Sequence, residues 1–281
     1  MLGAMLYLRE GWLVGNCGLL GALAIISAAY LITGTTTLSL ATIATNTRVR
    51  PGGAFAIIAQ ALGVEVGGAV GIPLYIAQSA SAAMYLYAFS EAWAYMFPTH
   101  PAFIVVTVAF GIVSILAWTS AHLAFRAQAI MMIVVVLALL SAFFGQWTHP
   151  PTGSNWIGMY PEASHRQAFA IFFPAATGIM VGVGMSGILQ EPRKSIPEGT
   201  KKAWGVTFAI YVIAAFWYDR VASPEDLLSS KTIIIDRSLF GPIVLIGLLC
   251  STLMASLSTL VAAPRLLTAM GKHRILPFGQ W

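Results

Sequence analysis

Long apolar stretches alternate along this chain with short turns that carry charges, prolines and glycines. A helix needs about 20 apolar residues to cross a bilayer, and a shorter apolar run covers part of the distance. The pattern predicts membrane-crossing segments at residues 1–14, 17–45, 71–97, 103–118, 127–144, 167–189, 203–218 and 239–267. It also predicts a short helix along the membrane edge at 54–68 and a charged connector at 191–202. We therefore expect an all-α integral membrane protein with eight crossings, of which the first is partial.

The segment 172–187, FFPAATGIMVGVGMSG, is apolar yet contains a proline and four glycines. Pro174 removes a backbone donor, and Gly178 makes a departure from helical geometry less costly. A break there frees carbonyl and amide groups, which are tolerated at membrane depth only where they line a cavity or hold an ion. Such interrupted segments are typical of substrate sites in secondary transporters. A kinked helix without a ligand fits the same composition.

Composition and charge indicate a multi-pass membrane protein. Only 9% of the residues are charged, against about 25% in soluble domains. The segment map places ten Lys and Arg residues on one side of the membrane and five on the other. Because cytoplasmic loops carry the excess of positive charge, we expect the C-terminal end in the cytoplasm, beneath a plasma membrane or a bacterial inner membrane. The net charge of +5 then reports topology rather than nucleic-acid binding.

The sequence carries no pattern of an enzyme, a cofactor site or a metal site. The two cysteines, Cys17 and Cys250, lie in apolar segments and offer neither a disulfide framework nor a metal site. The GxxxxGK[ST] loop of nucleotide-driven proteins is missing, and the five histidines fall in predicted loops or in the basic tail. We therefore expect no cofactor and no enzymatic activity.

Several motifs follow one another in an order found in a known transporter family. They are LGAMLYLREGWLVGNCG at 2–18, IATN…VRPGGAF at 43–55, LGVEVGGAVG at 62–71, SAAMYLYAFSEAW at 81–93, FFPAATGIM at 172–180, SG at 186–187, EP…SIPEGT at 191–200 and LVAAPRLLTAMGKHRILPF at 260–278. Together they resemble the cation–chloride cotransporters of the amino acid–polyamine–organocation superfamily. The resemblance implies a LeuT-like core of inverted repeats with helices one and six broken.

On that resemblance, residues 1–281 form a single transporter domain with a first repeat at 1–147 and a partial second repeat at 166–281. The inner half of the first helix and the ninth and tenth segments have no counterpart in this sequence, so the core is expected to be incomplete. The family also commonly forms dimers, which makes a homodimer one expectation for this chain.

The resemblance implies two ion sites. The positions that match potassium ligands are Met1, Tyr85, Pro174 and Thr177. The positions whose backbone amides match chloride ligands are Gly3, Ala4, Met5, Gly178, Ile179 and Met180. A large monovalent cation suits several neutral oxygens, and helix N-termini favour anions. From the residues alone, Tyr85 also fits a buried tyrosine bonded to a helix carbonyl, and Thr177 fits a hydroxyl bonded within its own helix.

Two further positions concern gating and sodium. Arg9 and Glu91 match the pair that closes the outer gate in the family, although two such residues also fit a static ion pair. Sodium-using members carry a serine pair in the eighth segment, where this chain has Met254 and Ala255. Ser256 and Ser258 are expected to face other directions, at about 100° per residue. The resemblance thus implies the sodium-independent, potassium–chloride branch.

The implied function is electroneutral symport of potassium and chloride by alternating access, with the two ions and the lipid bilayer as partners. An amino acid permease of the same superfamily and a non-transporting fragment remain alternative hypotheses. Four residues depart from the family's usual pattern: Glu10, Gly11, Gly184 and Ile188.

Overall fold

The computed structural model describes residues 2–46, 52–119, 121–145, 155–184 and 191–275, most of which are helical. Their helices, in chain order, are α1 (Ala4–Leu8), α2 (Glu10–Asn46), α3 (Gly53–Leu62), α4 (Val64–Met96), α5 (Ala102–Thr119), α6 (Ala121–Phe143), α7 (His165–Ala176), α8 (Ile179–Gly184), α9 (Pro192–Val221), α10 (Pro224–Ser229), α11 (Ile233–Asp236) and α12 (Gly241–Lys272). Among these residues, four stretches are long and apolar enough to cross a membrane: Glu10–Thr45, Val64–Met96, Arg126–Phe143 and Gly241–Lys272. The expected all-α membrane protein is confirmed, and the figure of eight crossings stays a prediction.

Helix α2 contains a sharp break at Gly18, where φ is 70° and ψ is 170°, a conformation open essentially to glycine alone. The extended segment that precedes α7 lies against this break. The amide of Leu19 donates to the carbonyl of Asn155 at 2.8 Å. The amide of Gly158 donates to the carbonyl of Cys17 at 3.0 Å. The segment therefore supplies partners for backbone groups that the break would otherwise leave unpaired within an apolar helix.

Asn16 holds the same segment through its side chain. Its amide nitrogen donates to the carbonyl of Ala163 at 2.9 Å. Its amide oxygen accepts from the backbone amides of Glu162 at 3.0 Å and Ala163 at 3.2 Å. Because Asn16 is fully buried and these contacts use both ends of its side chain, it fixes the start of α7 against α2.

The helices pack as two groups. Helices α1, α2, α7 and α9 form most of the largest hydrophobic core, which includes Tyr7, Leu13, Ile26, Phe172 and Tyr211 and also takes in residues of α6 and α12. Helix α12 is the centre of the second group, because α4, α5 and α6 all pack against it. Helix α8 contacts α3, α9 and α12, so it lies where the two groups meet.

The interruption that the sequence predicts inside 172–187 is present between α7 and α8. Helix α7 ends at Ala176, with Pro174 in its last turn, and α8 begins at Ile179. Between them Thr177 is extended, and Gly178 has a φ of 103°. A positive φ is inexpensive only for glycine, so Gly178 allows the chain to leave one helix and start another. Residues 185–190, which include Gly187 and Ile188, lie outside the described part of the chain.

Two predicted boundaries are wrong. The single short helix expected at 54–68 is two elements, because Gly63 (φ 94°) ends α3 and the long helix α4 already begins at Val64. The charged connector expected at 191–202 is the helical beginning of α9. Pro192 stands in the first turn, where a missing amide costs nothing, and charged side chains are tolerated on an exposed helix surface.

Candidate functional site

A cavity of about 840 Å³ lies beside the interruption between α7 and α8. Six predicted ion ligands are among its lining residues: Tyr85 from α4, and Pro174, Thr177, Gly178, Ile179 and Met180. The other polar lining residues are Thr33, Thr36, Gln78, Ser81, Gln128, Ser258 and Thr259. None of the described residues in this lining has a charged side chain, so these residues offer polar atoms without a fixed charge.

Thr177 is bonded to Pro174 across the end of α7. Its hydroxyl donates to the Pro174 carbonyl at 2.7 Å, and its amide donates to the same oxygen at 3.3 Å. The Pro174 oxygen therefore already has two donors. The lone pairs of the Thr177 hydroxyl remain available as acceptors, because that bond uses only its proton.

Tyr85 also lines a second cavity, of about 420 Å³, between α1 and α4. Ala4 and Met5, at the start of α1, are part of this second lining. Gly3 caps α1, and a methyl group added to it would lie 3.8 Å from the ring of Tyr85. Tyr85 thus stands between the beginning of α1 and the interruption after α7. Met1, the remaining predicted potassium ligand, lies outside the described residues.

The second cavity ends at a cluster of three charged side chains. Arg9 donates to the Glu91 carboxylate at 3.4 Å, as the predicted pairing requires. Lys231, in the turn between α10 and α11, donates to the other oxygen of the same carboxylate at 2.8 Å. The sequence contains no indication of this second pairing, because 140 residues separate Lys231 from Glu91.

We expect Glu91→Gln to open the second cavity to water, because both Arg9 and Lys231 lose their carboxylate partner. These side chains are partly exposed, so each pair contributes about 1 kcal/mol or less. A charged thiol reagent should therefore label Ala88→Cys, which lines this cavity, faster by up to about fivefold for each lost pair.

The labelling is measured in a background that lacks Cys250, the half-buried native thiol. Glu65→Gln serves as the control, since Glu65 is an exposed carboxylate in the first turn of the same helix. Equal labelling rates in Glu91→Gln and Glu65→Gln would show that the cluster does not close this cavity.

One expectation about α12 is wrong. Ser258 does not face away from Met254 and Ala255: all three line the 840 Å³ cavity. Residues four apart lie almost above one another on a helix, so Ser258 shares the face of Met254. Its hydroxyl accepts a hydrogen bond from Gln128 at 2.9 Å and donates to the Met254 carbonyl at 2.8 Å. Ser256, by contrast, is fully buried and is not part of the lining.

Gln78 and Gln128 are site residues that sequence reasoning missed. Both are amides within apolar helices and both line the larger cavity. The side-chain oxygen of Gln78 is buried and has no hydrogen-bond partner in the described part of the chain. A polar amide at membrane depth was the available signal, since such groups are costly unless they meet a partner.

Comparison with known proteins gives the family. The family model described as "Amino acid permease" matches residues 1–281. The chain is 32% identical to solute carrier family 12 member 8 of Mus musculus, over 98% of this chain and 41% of that protein. It is 28% identical to solute carrier family 12 member 2 of Mus musculus, over 98% of this chain and 28% of that protein.

A plant protein, cation-chloride cotransporter 1 of Arabidopsis thaliana, is 28% identical over 99% of this chain and 34% of its own length. The chain therefore spans 41% or less of the length of these three relatives. The resemblance to cation–chloride cotransporters is confirmed, and the chain belongs to the amino acid permease family of membrane transporters.

Proposed function

We propose that this protein is a secondary active transporter that moves potassium and chloride together, one of each, by alternating access. The observation that carries the proposal is the interruption between α7 and α8, which opens onto an uncharged cavity lined by Tyr85 and Thr177. One cation and one anion in each cycle leave no net charge to move, so ion gradients rather than the membrane potential would drive transport. A plasma membrane or a bacterial inner membrane is the proposed location.

Potassium is assigned to the oxygens near the end of α7. Tyr85, Pro174 and Thr177 line one cavity, and none of their oxygens carries a charge. Because the Pro174 oxygen already accepts two hydrogen bonds, Thr177 is the more available ligand in this conformation. Ion binding through Pro174 requires the Thr177 hydroxyl to turn away from it.

Chloride is assigned to the backbone amides at the two helix starts. Gly3 precedes Ala4 and Met5 at the start of α1, and Gly178 precedes Ile179 and Met180 at the start of α8. The first amides of a helix have no acceptor within that helix, and the helix dipole favours negative charge there. Because the lining of the larger cavity, as far as the structure describes it, contains no Lys or Arg, an anion bound there would remain free to leave.

The packing agrees with an inverted-repeat core in which 1–147 and 166–281 are the two repeats. Helix α2 of the first part packs along α9 of the second, and α4 packs along α12. These two contacts between the proposed repeats are compatible with a pseudo-two-fold axis in the membrane plane.

An amino acid permease is the second candidate function. The matching family model carries that description, and 840 Å³ is within the range of pockets that hold small organic molecules. In that case the amides of α1 would hold a substrate carboxylate. The described lining residues offer no charged partner to either end of a zwitterion, which favours ions as the substrate.

Rubidium uptake into proteoliposomes tests the two functions against each other. We expect uptake that requires external chloride, is unchanged when sodium is replaced by choline, and is not inhibited by an amino acid mixture. Uptake that continues when gluconate replaces chloride would contradict the symport. Uptake that needs sodium would contradict the assignment to the sodium-independent branch, for which Met254 and Ala255 are the basis. Uptake of labelled amino acids alone would favour the permease, and no uptake at all would favour a non-transporting fragment.

A further inference from the structure

Glu10 is a fully buried carboxyl group to which the proposed ion sites and the gate assign no role. Its exposed fraction is 0%, although it lies in the first turn of the long apolar helix α2. Neither of its carboxyl oxygens has a hydrogen-bond partner in the described part of the chain. The other six glutamates are all exposed: Glu65, Glu91, Glu162, Glu191, Glu198 and Glu225.

The side chains around Glu10 offer no charge to balance an anion. Tyr30 of α2 and both Tyr211 and Tyr218 of α9 are near enough to interact with Glu10 electrostatically. Tyr7 of α1 interacts in the same way with Tyr211 and Tyr218. The hydroxyl of Tyr218 is directed elsewhere, since it donates to the carbonyls of Leu6 and Tyr7.

Other ionisable groups on the elements packed against α2 are exposed or bound to other partners. Asp219 of α9 accepts from the Asn155 amide, Arg9 donates to Glu91, and Cys17 adjoins Asn16 and Tyr160. The exposed ones are His165 and Arg166 of α7, Glu225 and Asp226 of α10, and Arg193, Lys194, Glu198, Lys201, Lys202 and Arg220 of α9. None of these groups supplies a cation to Glu10.

An ionised carboxylate in such surroundings would be very unfavourable. Moving a charge from water into an apolar interior without a partner costs far more than a folded protein can spare, so the group takes up a proton instead. Ionisable residues at membrane depth are accordingly functional candidates by default. In a chain that is proposed to work by conformational change, a buried acid of this kind can exchange its proton only in a conformation that admits water.

The position of Glu10 connects it to the outer gate. Arg9 separates α1 from α2, and its φ and ψ are −126° and −20°. Arg9 and Glu10 therefore form the joint between the two helices. The Arg9 side chain reaches Glu91, while that of Glu10 is buried. The Tyr218 hydroxyl stabilises the joint because it donates hydrogen bonds to the carbonyls of Leu6 and Tyr7, just before Arg9. A movement of this joint that separates Arg9 from Glu91 therefore also changes the surroundings of Glu10.

We propose that Glu10 is a proton-binding site: its carboxylate takes up one proton from water when the joint between α1 and α2 packs against α9, and it returns that proton when the gate opens. Protonation and gate closure are then linked, so each favours the other. The proposal does not depend on which solutes are transported.

Infrared spectroscopy of the reconstituted protein tests the binding of the proton. A protonated carboxylic acid gives a carbonyl band separate from that of carboxylates. At neutral pH we expect one such band, shifted by ¹³C-labelled glutamate and lost in Glu10→Gln. The matched control is Asp219→Asn, which removes a buried carboxyl that does have a hydrogen-bond partner.

The labelled wild-type protein decides the matter even where Glu10→Gln does not fold, because Glu10 is the one buried glutamate among seven. Absence of a glutamate-sensitive band in the wild type, or its persistence in a folded Glu10→Gln protein, would overturn the site.

The link to the gate is tested by the pH at which this band disappears. Arg9→Gln combined with Lys231→Gln removes both partners of Glu91. Loss of these cations would by itself favour the protonated form of Glu10, so its band would disappear at a higher pH. Opening of the gate would instead hydrate Glu10 and favour its ionised form, so the band would disappear at a lower pH. A shift to lower pH supports the link, whereas an unchanged or higher pH would overturn it.

Discussion

Replacing Gly18 with Ala is expected to destabilise the folded protein by about 3 kcal/mol or more, enough to abolish a marginal fold. The backbone at Gly18 (φ 70°, ψ 170°) is in a region that a residue with a Cβ enters only under strain. An added Cβ would also overlap the backbone nitrogen of Gly158 and lie 2.9 Å from the carbonyl oxygen of Asn155. Neither of these atoms can move without breaking the hydrogen bonds between the segment and α2.

The measurement is the apparent melting temperature in detergent, compared at one heating rate because membrane proteins often unfold irreversibly. Gly158→Ala should behave similarly, since its Cβ would overlap Gly18 from the other side. The control is Gly111→Ala in α5, where an added methyl meets no atom within 4 Å. There Ala should stabilise the helix by up to about 1 kcal/mol. Melting of Gly18→Ala at the temperature of Gly111→Ala would refute the role assigned to this contact.

The position of the interruption between α7 and α8 could be predicted because its causes are local. Pro174 lacks an amide, and Gly178 tolerates a positive φ; both properties belong to the residue itself and can be read from one sequence. The same reasoning did not single out Gly18. Its break depends on an approach by Gly158, which is 140 residues away, and a lone glycine in an apolar helix more often reflects close packing.

Interactions between distant parts of the chain explain the other differences. Lys231 joins Arg9 at Glu91 because the turn after α10 folds over α4, and no spacing in the sequence encodes that contact. Ser258 could have been placed correctly, because its distance of four residues from Met254 is a helical repeat. Ala255 is three residues from Ser258, a separation that also keeps two side chains on one helix face.

Glu10 illustrates the opposite case, in which the sequence signalled something that only the structure could interpret. An acidic residue next to Arg9 is naturally taken for a second solvated charge at the membrane surface. The break between α1 and α2 directs the two side chains differently, so that one is partly exposed and the other is fully buried. Burial, not residue type, is what makes Glu10 a candidate for proton binding.

We expect Tyr85→Phe to raise the KM for rubidium about tenfold or more while the protein remains folded. The substitution removes one neutral oxygen from the proposed cation site and keeps the ring that packs near Gly3. A bond between a neutral oxygen and a charged group contributes about 1.5–3 kcal/mol, which corresponds to a factor of roughly 10 to 150 in affinity. The KM for chloride at saturating rubidium should change much less, because chloride is assigned to backbone amides.

The matched control is Tyr75→Phe on the same helix, whose ring packs against the cluster around Phe55 and Met270 and does not line the larger cavity. A second measurement covers preparations in which uptake is weak. Potassium that binds only the folded protein raises its melting temperature, and this rise should be smaller in Tyr85→Phe. If Tyr85→Phe and Tyr75→Phe share the wild-type KM and the wild-type response to potassium, the Tyr85 hydroxyl is not a cation ligand. The potassium assignment would then have to rest on Thr177 and the carbonyl oxygens at the end of α7 alone.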